Sequence, residues 1–111
     1  LGDAWTAACF HDDAVLRCIA DEADRSGVVL DPHSAVGVLA ARRCRRDPSV
    51  PMVALATAHP SKFPDAVESA TGVRPVLPER LGDLFERPER CVRLPNDLLA
   101  VQAHVEACVT T

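Results

Sequence analysis

The stretch that most constrains this chain is Met52-Val53-Ala54-Leu55-Ala56, a continuous apolar run closed by Pro51 on one side and by the polar Thr57-Ala58-His59-Pro60 on the other. A run of that length with that punctuation fits a strand covered on both faces, as in the middle of a parallel sheet. The flanking sequence supplies helices to cover it. Val15, Cys18, Ile19 and Ala23 recur at helical spacing over Asp13 to Ser26, behind an acidic start, and Gly27 supplies the stop. A short run, Val28-Val29-Leu30, then leads into Asp31-Pro32-His33-Ser34, where Asp31 can cap and Pro32 can occupy the first position of a second helix.

That second helix, Pro32 to Arg46, carries Ala35, Val36, Val38, Leu39 and Ala40, with Gly37 permitting close approach, so burial is expected. It closes in Arg42-Arg43-Cys44-Arg45-Arg46, where positive charge complements the helix dipole. Pro64 to Ala70 reads as a short helix stopped at Gly72, and Pro78 to Phe85 as another. Cys91 to Leu94 suits an edge strand, and Asn96 can cap a last helix bearing Leu98, Val101, Val105 and Cys108. Helices alternating with a few short strands predict an α/β layer arrangement. No linker or repeat interrupts residues 1–111, which read as a single partial domain. The chain opens at Leu1, with no Met and no helix or strand signal, which suggests a piece of something longer.

Composition narrows the function classes. With 48% hydrophobic and 25% charged residues, the 111-residue chain is of soluble globular type. Three Phe, one Trp and no Tyr leave a core of Val, Leu and Ala, which bury less area per residue, so stability in isolation is in doubt. The net charge of −4 and the lack of aromatics among the arginines argue against a nucleic-acid partner. No run approaches the roughly 18 apolar residues a membrane helix needs, and no leader is evident, so no membrane partner and a cytoplasmic location are expected. The five cysteines make no CxxC pair and read as reduced, mostly buried small hydrophobes, with no metal site.

Reactive side chains gather in two places, Asp31-Pro32-His33-Ser34 at a helix start and Thr57-Ala58-His59-Pro60-Ser61-Lys62 after the strand. Helix N-termini present free N–H groups, and the carboxyl ends of strands line ligand crevices, so one pocket shared by Asp31, His33, Ser34, His59 and Lys62 is a plausible expectation. Simpler roles stand beside it. Asp31 is a sufficient helix cap, Thr57 suits a strand end, and neither His33 nor His59 has metal-ligand spacing. Ser34 and Ser61 lack the GxSxG context of a nucleophile.

At these same residues the chain resembles the threonine synthase family, through Leu30-Asp31-Pro32-His33-Ser34-Ala35-Val36-Gly37 and Leu55-Ala56-Thr57-Ala58-His59-Pro60-Ser61-Lys62-Phe63-Pro64. The family pattern is close to DPHTAVG and ATAHPAKFP, with Ser34 for the usual Thr and Ser61 for the usual Ala. Leu77-Pro78-Glu79-Arg80-Leu81 and Leu94-Pro95-Asn96-Asp97 follow in the family's order. The resemblance implies the C-terminal portion of a fold-type-II, tryptophan synthase β-like enzyme that uses pyridoxal 5'-phosphate. It implies conversion of O-phospho-L-homoserine and water to L-threonine and phosphate, a lyase reaction of threonine biosynthesis. Thr57 matches the hydroxyl that members bring to the cofactor's pyridine nitrogen. The Schiff-base lysine and the phosphate loop lie earlier in the family's chain, so no catalytic lysine is assigned here and the fragment alone is expected to be inactive until joined by that N-terminal part. Lys62, the only lysine, matches the lysine inside the TAHPxKF motif, with contact to a substrate phosphate and structural pairing both open. The rival reading is a non-enzymatic binding domain that keeps the fold without the cofactor.

Overall fold

The computed structural model describes residues 5–109. They fall into two compact units, divided between Glu79 and Arg80. The first contains helices α1 (Asp12–Ser26), α2 (Pro32–Cys44) and α3 (Pro64–Thr71), with a 3-10 turn at Pro60–Lys62 leading into α3. The second contains α4 (Leu98–Val109).

Helix α1 starts with Asp12 and Asp13 at the positive end of its dipole and ends where Gly27 takes φ 73°, its N–H bonded to the Ala23 carbonyl at 2.9 Å. The left-handed turn suits glycine, and Gly72 ends α3 the same way. Val15, Cys18, Ile19 and Glu22 form the buried stripe of α1, one and two turns apart, and α1 packs against both α2 and α3. Cys18, Ala35, Val15 and Ile19 make the centre of the core, ringed by Phe10, Leu16, Leu30, Val36, Val38, Leu39 and Ala70. Ile19 and Val67 are wholly buried, and no aromatic ring is, as a composition poor in aromatics requires.

Helix α2 stops at Cys44, two residues before Arg46, where Arg45 turns to extended backbone (φ −65°, ψ 117°). The Arg45 guanidinium folds back onto the Pro48 carbonyl. Only Ser34 and Ala35 of α2 are buried; Val36 to Ala41 are half-buried, so its apolar surface is partly uncovered.

Three expectations are corrected. No β-strand forms among the described residues, so the α/β layer of helices on short strands is replaced by helices and irregular connections. Met52 to Ala56 does lie along α2, running against it. Met52 and Ala54 share a cleft with Val38, Ala41 and Arg45, and a Cβ on Gly37 would sit 4.0 Å from Ala54. What the run lacks is a neighbouring strand, and a strand exists only by pairing its N–H and C=O groups with another. Val53 and Leu55, which alternate with the α2-facing pair, stand 78% and 74% exposed.

Second, Pro78 to Phe85 makes only a 3-10 turn at Glu79–Leu81 and further turns, and Cys91 to Leu94 is irregular. Leu84 and Phe85 are exposed, so no packed face holds a longer helix together. Third, of the five free cysteines only Cys18 is buried; Cys9, Cys91 and Cys108 are exposed. Burial pushes the Cys18 thiol above its ordinary pKa, which makes it an unreactive packing residue. In the second unit Asp97, one residue after Asn96, caps α4, its carboxylate accepting from the Ala100 N–H at 2.9 Å. No residue of α4 is buried, although Leu98, Leu99, Val101, Val105 and Val109 populate it.

Candidate functional site at the head of the second helix

The first turn of α2 is built around Asp31. Its carboxylate accepts from the His33 N–H at 2.9 Å and the Ser34 N–H at 3.3 Å, satisfying two helix-terminal donors, with Pro32 at the position that needs none. The Ser34 hydroxyl donates to the same carboxylate, and His33 Nδ1 lies 3.3 Å from it. Asp31 is 1% exposed and Ser34 3%. Burial pushes the Asp31 pKa up, but the Ser34 hydroxyl and the His33 and Ser34 N–H groups outweigh it and hold the carboxyl below its ordinary value. Asp31 is therefore ionised at neutral pH, fully hydrogen-bonded and poorly suited to accept a proton from a ligand.

Thr57 arrives at this turn from the far end of the irregular stretch. Its backbone N–H donates to the Ser34 hydroxyl at 3.2 Å, so one hydroxyl both donates to Asp31 and accepts from Thr57. The Thr57 side chain is exposed, and its hydroxyl has no hydrogen-bond partner among the described residues.

The next segment folds onto His33. His59 caps the 3-10 turn, its Nδ1 accepting from the Ser61 N–H at 3.2 Å with the Ser61 hydroxyl at 2.7 Å. Phe63 follows and packs its ring on His33, with centroids 4.8 Å apart and planes tilted by 46°. Lys62 reaches over the other partner of that pair, its Nζ 5.6 Å from the Phe63 ring centroid. It has no acidic partner among the described residues, which removes the simplest form of structural pairing.

Asp31, His33, Ser34 and Thr57 are thus brought together, with Lys62 joined to them through Phe63. His59 stands apart from them, lining an open cleft of about 700 Å³ with Ala23, Gly27, Val29, Pro60 and Thr71. Phe63 is the residue that the sequence reading passed over. Its signal was present as the one aromatic in the Lys62-Phe63-Pro64 stretch, where a ring could bridge two polar neighbours. A second omission is the ion cluster of Glu22, whose carboxylate receives Arg25 at 2.5 Å and also Arg42 from α2. The basic run at the end of α2 therefore does more than complement a dipole.

Comparison with known proteins shows what the chain as a whole is similar to. Residues 34–105 match the family model described as threonine synthase, C-terminal. The threonine synthase of Pseudomonas aeruginosa is 59% identical over 91% of this chain and 23% of its own length. That of Corynebacterium glutamicum is 40% identical over 86% of this chain and 20% of its own. A crystal structure of pyridoxal-phosphate-bound threonine synthase from Brucella melitensis superposes with a TM-score of 0.68 at 46% identity, over 86% of this chain and 20% of that one. The chain spans about a fifth of the length of the relatives it matches. With the family model covering well over half of its residues, the chain belongs to the threonine synthase family, in the C-terminal region that this model describes.

Proposed function

We propose that this chain is the C-terminal part of a threonine synthase, a pyridoxal-phosphate-dependent lyase that in its complete form converts O-phospho-L-homoserine and water to L-threonine and phosphate. The observation that carries the reading is Thr57. Its hydroxyl is exposed and uncommitted, while its backbone is tied to the buried Asp31–Ser34 pair. A neutral hydroxyl of this kind fits a pyridine nitrogen, which it can meet as a donor without demanding a charged ring. Bound pyridoxal phosphate supplies an electron sink for carbanion chemistry.

The chain's own residues supply orientation. Thr57 would meet the cofactor's ring nitrogen, and the head of α2 fixes Thr57. The His33–Phe63 pair would border the site, and Lys62 offers an exposed positive charge suited to a substrate phosphate. In the complete protein, residues 52–56 pair as a strand of a fold-type-II sheet, and the N-terminal part supplies the cofactor lysine. Cytoplasmic amino-acid biosynthesis is the setting that this reading implies. The test is phosphate release from O-phospho-L-homoserine by the complete protein loaded with pyridoxal phosphate. A folded, cofactor-loaded protein that releases no phosphate from this substrate would overturn the assignment.

A further inference from the structure

The hydrogen-bond order at the head of α2 is directional. Both oxygens of Asp31 are spent on His33 and Ser34, so the carboxylate has no capacity left for a substrate. The Ser34 hydroxyl, with its proton committed to Asp31, presents its lone pair outward, and the Thr57 N–H takes it. That is the only hydrogen bond Thr57 makes among the described residues, and no regular element runs from Arg45 to His59 to hold it otherwise. Asp31 to Ser34 to Thr57 is a relay from a buried anchor to an exposed residue.

We propose that Ser34, oriented by Asp31, is the positioning residue that fixes where Thr57 presents its hydroxyl, and that Asp31 and Ser34 act through Thr57 without touching substrate themselves. This rests on the reading of Thr57 as the residue facing the cofactor's ring nitrogen. Removal of the hydroxyl would leave the Thr57 N–H without its acceptor and free the segment ahead of His59. A threonine at position 34 carries an Oγ at the same branch point and preserves both bonds.

The experiment uses the complete protein and three variants, Ser34→Ala, Ser34→Thr and Thr57→Val, with two readouts. One is hydrogen exchange at the Thr57 amide, and the other is the pyridoxal-phosphate dissociation constant together with the visible circular dichroism of the bound cofactor. Ser34→Ala is expected to speed exchange at Thr57 by about tenfold, weaken cofactor binding by severalfold and alter the dichroism. Ser34→Thr is expected to restore all three, a rescue that a mere packing role would not require. Thr57→Val should weaken cofactor binding while leaving amide exchange unchanged.

Unchanged exchange in Ser34→Ala overturns the relay. Faster exchange with unaltered cofactor readouts, while Thr57→Val still weakens binding, shows that the relay does not position Thr57 and also overturns the proposal. Cofactor binding that ignores Thr57→Val instead sinks the assignment of Thr57 to the cofactor. If Ser34→Ala does not fold, Ser34→Cys keeps the branch point with a weaker donor and acceptor, on a slightly larger atom, and is read the same way.

Discussion

The Thr57 backbone N–H donates to the Ser34 hydroxyl at 3.2 Å across 23 residues of chain, which separates what Thr57 does for the fold from what it offers a ligand. The tether uses the main chain, so a change of side chain leaves it in place. Thr57→Val keeps the β-branched shape and removes only the exposed hydroxyl. In the complete protein its melting temperature should stay within about 2 °C of the parent, as for surface changes away from special features. Loss of one neutral hydrogen bond to the cofactor, about 0.5–1.5 kcal/mol, should weaken pyridoxal-phosphate binding by about two- to twelvefold and lower kcat. Titration of the cofactor and steady-state kinetics check this; parent-like values for both would refute the role of the hydroxyl.

The Glu22 cluster ties α1 to α2 and carries a pH signature. Hydrogen bonds from Arg25 and then Arg42 hold the Glu22 carboxyl below its ordinary pKa. A group whose folded pKa is depressed contributes stability that is present above its unfolded pKa and is lost as the pH falls through the folded value. The loss should therefore begin where ordinary glutamates take up protons and finish at still lower pH. Glu22→Gln should melt below the parent at neutral pH and approach it in acid. Arg42→Met should cost more than Arg25→Met, because Arg42 joins two helices and Arg25 lies within one turn of Glu22. Melting curves across acid to neutral pH test both orders. A gap between Glu22→Gln and parent that does not narrow in acid would contradict the assignment.

The helices bounded by local chemistry were legible in the sequence: α1 with its Gly27 stop, α2 with its Asp31-Pro32 start and α3 with its Gly72 stop each follow from residues next to one another. Elements that depend on partners were not. Met52 to Ala56 has a strand's composition but no strand beside it, and Pro78 to Phe85 has a helix start but no packed face. At the site, the cap formed by Asp31 was readable from spacing, whereas the bond from Thr57 to Ser34 and the Phe63 stack on His33 depend on how distant segments fold back. The Arg42 contact with Glu22 was hidden for the same reason, since a run of arginines shows its charge but not which of them has a partner.

Lys62 offers a cleaner choice between its two open roles than the sequence allowed. Its amine is exposed, touches the Phe63 ring and pairs with no carboxylate among the described residues. If it meets a substrate phosphate, Lys62→Met in the complete protein should raise KM for O-phospho-L-homoserine by about 10- to 100-fold, the scale of one charge-assisted hydrogen bond, with little change in melting temperature. Inorganic phosphate should also lose potency as a competitor. A variant with parent-like KM and a lowered melting temperature would assign Lys62 to structure.

The exposed side of residues 52–56 makes the last prediction. Val53 and Leu55 stand open, and Met52 and Ala54, although they line a cleft with α2, are exposed as well, so the run is ready for a covering layer. Half-buried Val36 to Ala41 on α2 and the apolar, unburied α4 show the same shortage of cover in each unit. If the complete protein pairs this run into its sheet, Val53 and Leu55 become core residues there. Val53→Ser and Leu55→Ser should then each destabilise the complete protein by about 2–4 kcal/mol, the scale of removing a large apolar side chain from a core. The amides of 53–56 should exchange slowly in the complete protein and quickly in the isolated chain, where no strand protects them. Denaturant melts of the complete protein and exchange measurements on both forms provide the check. Fast exchange at these amides in the complete protein, or serine variants as stable as the parent, would show that this run stays outside the sheet.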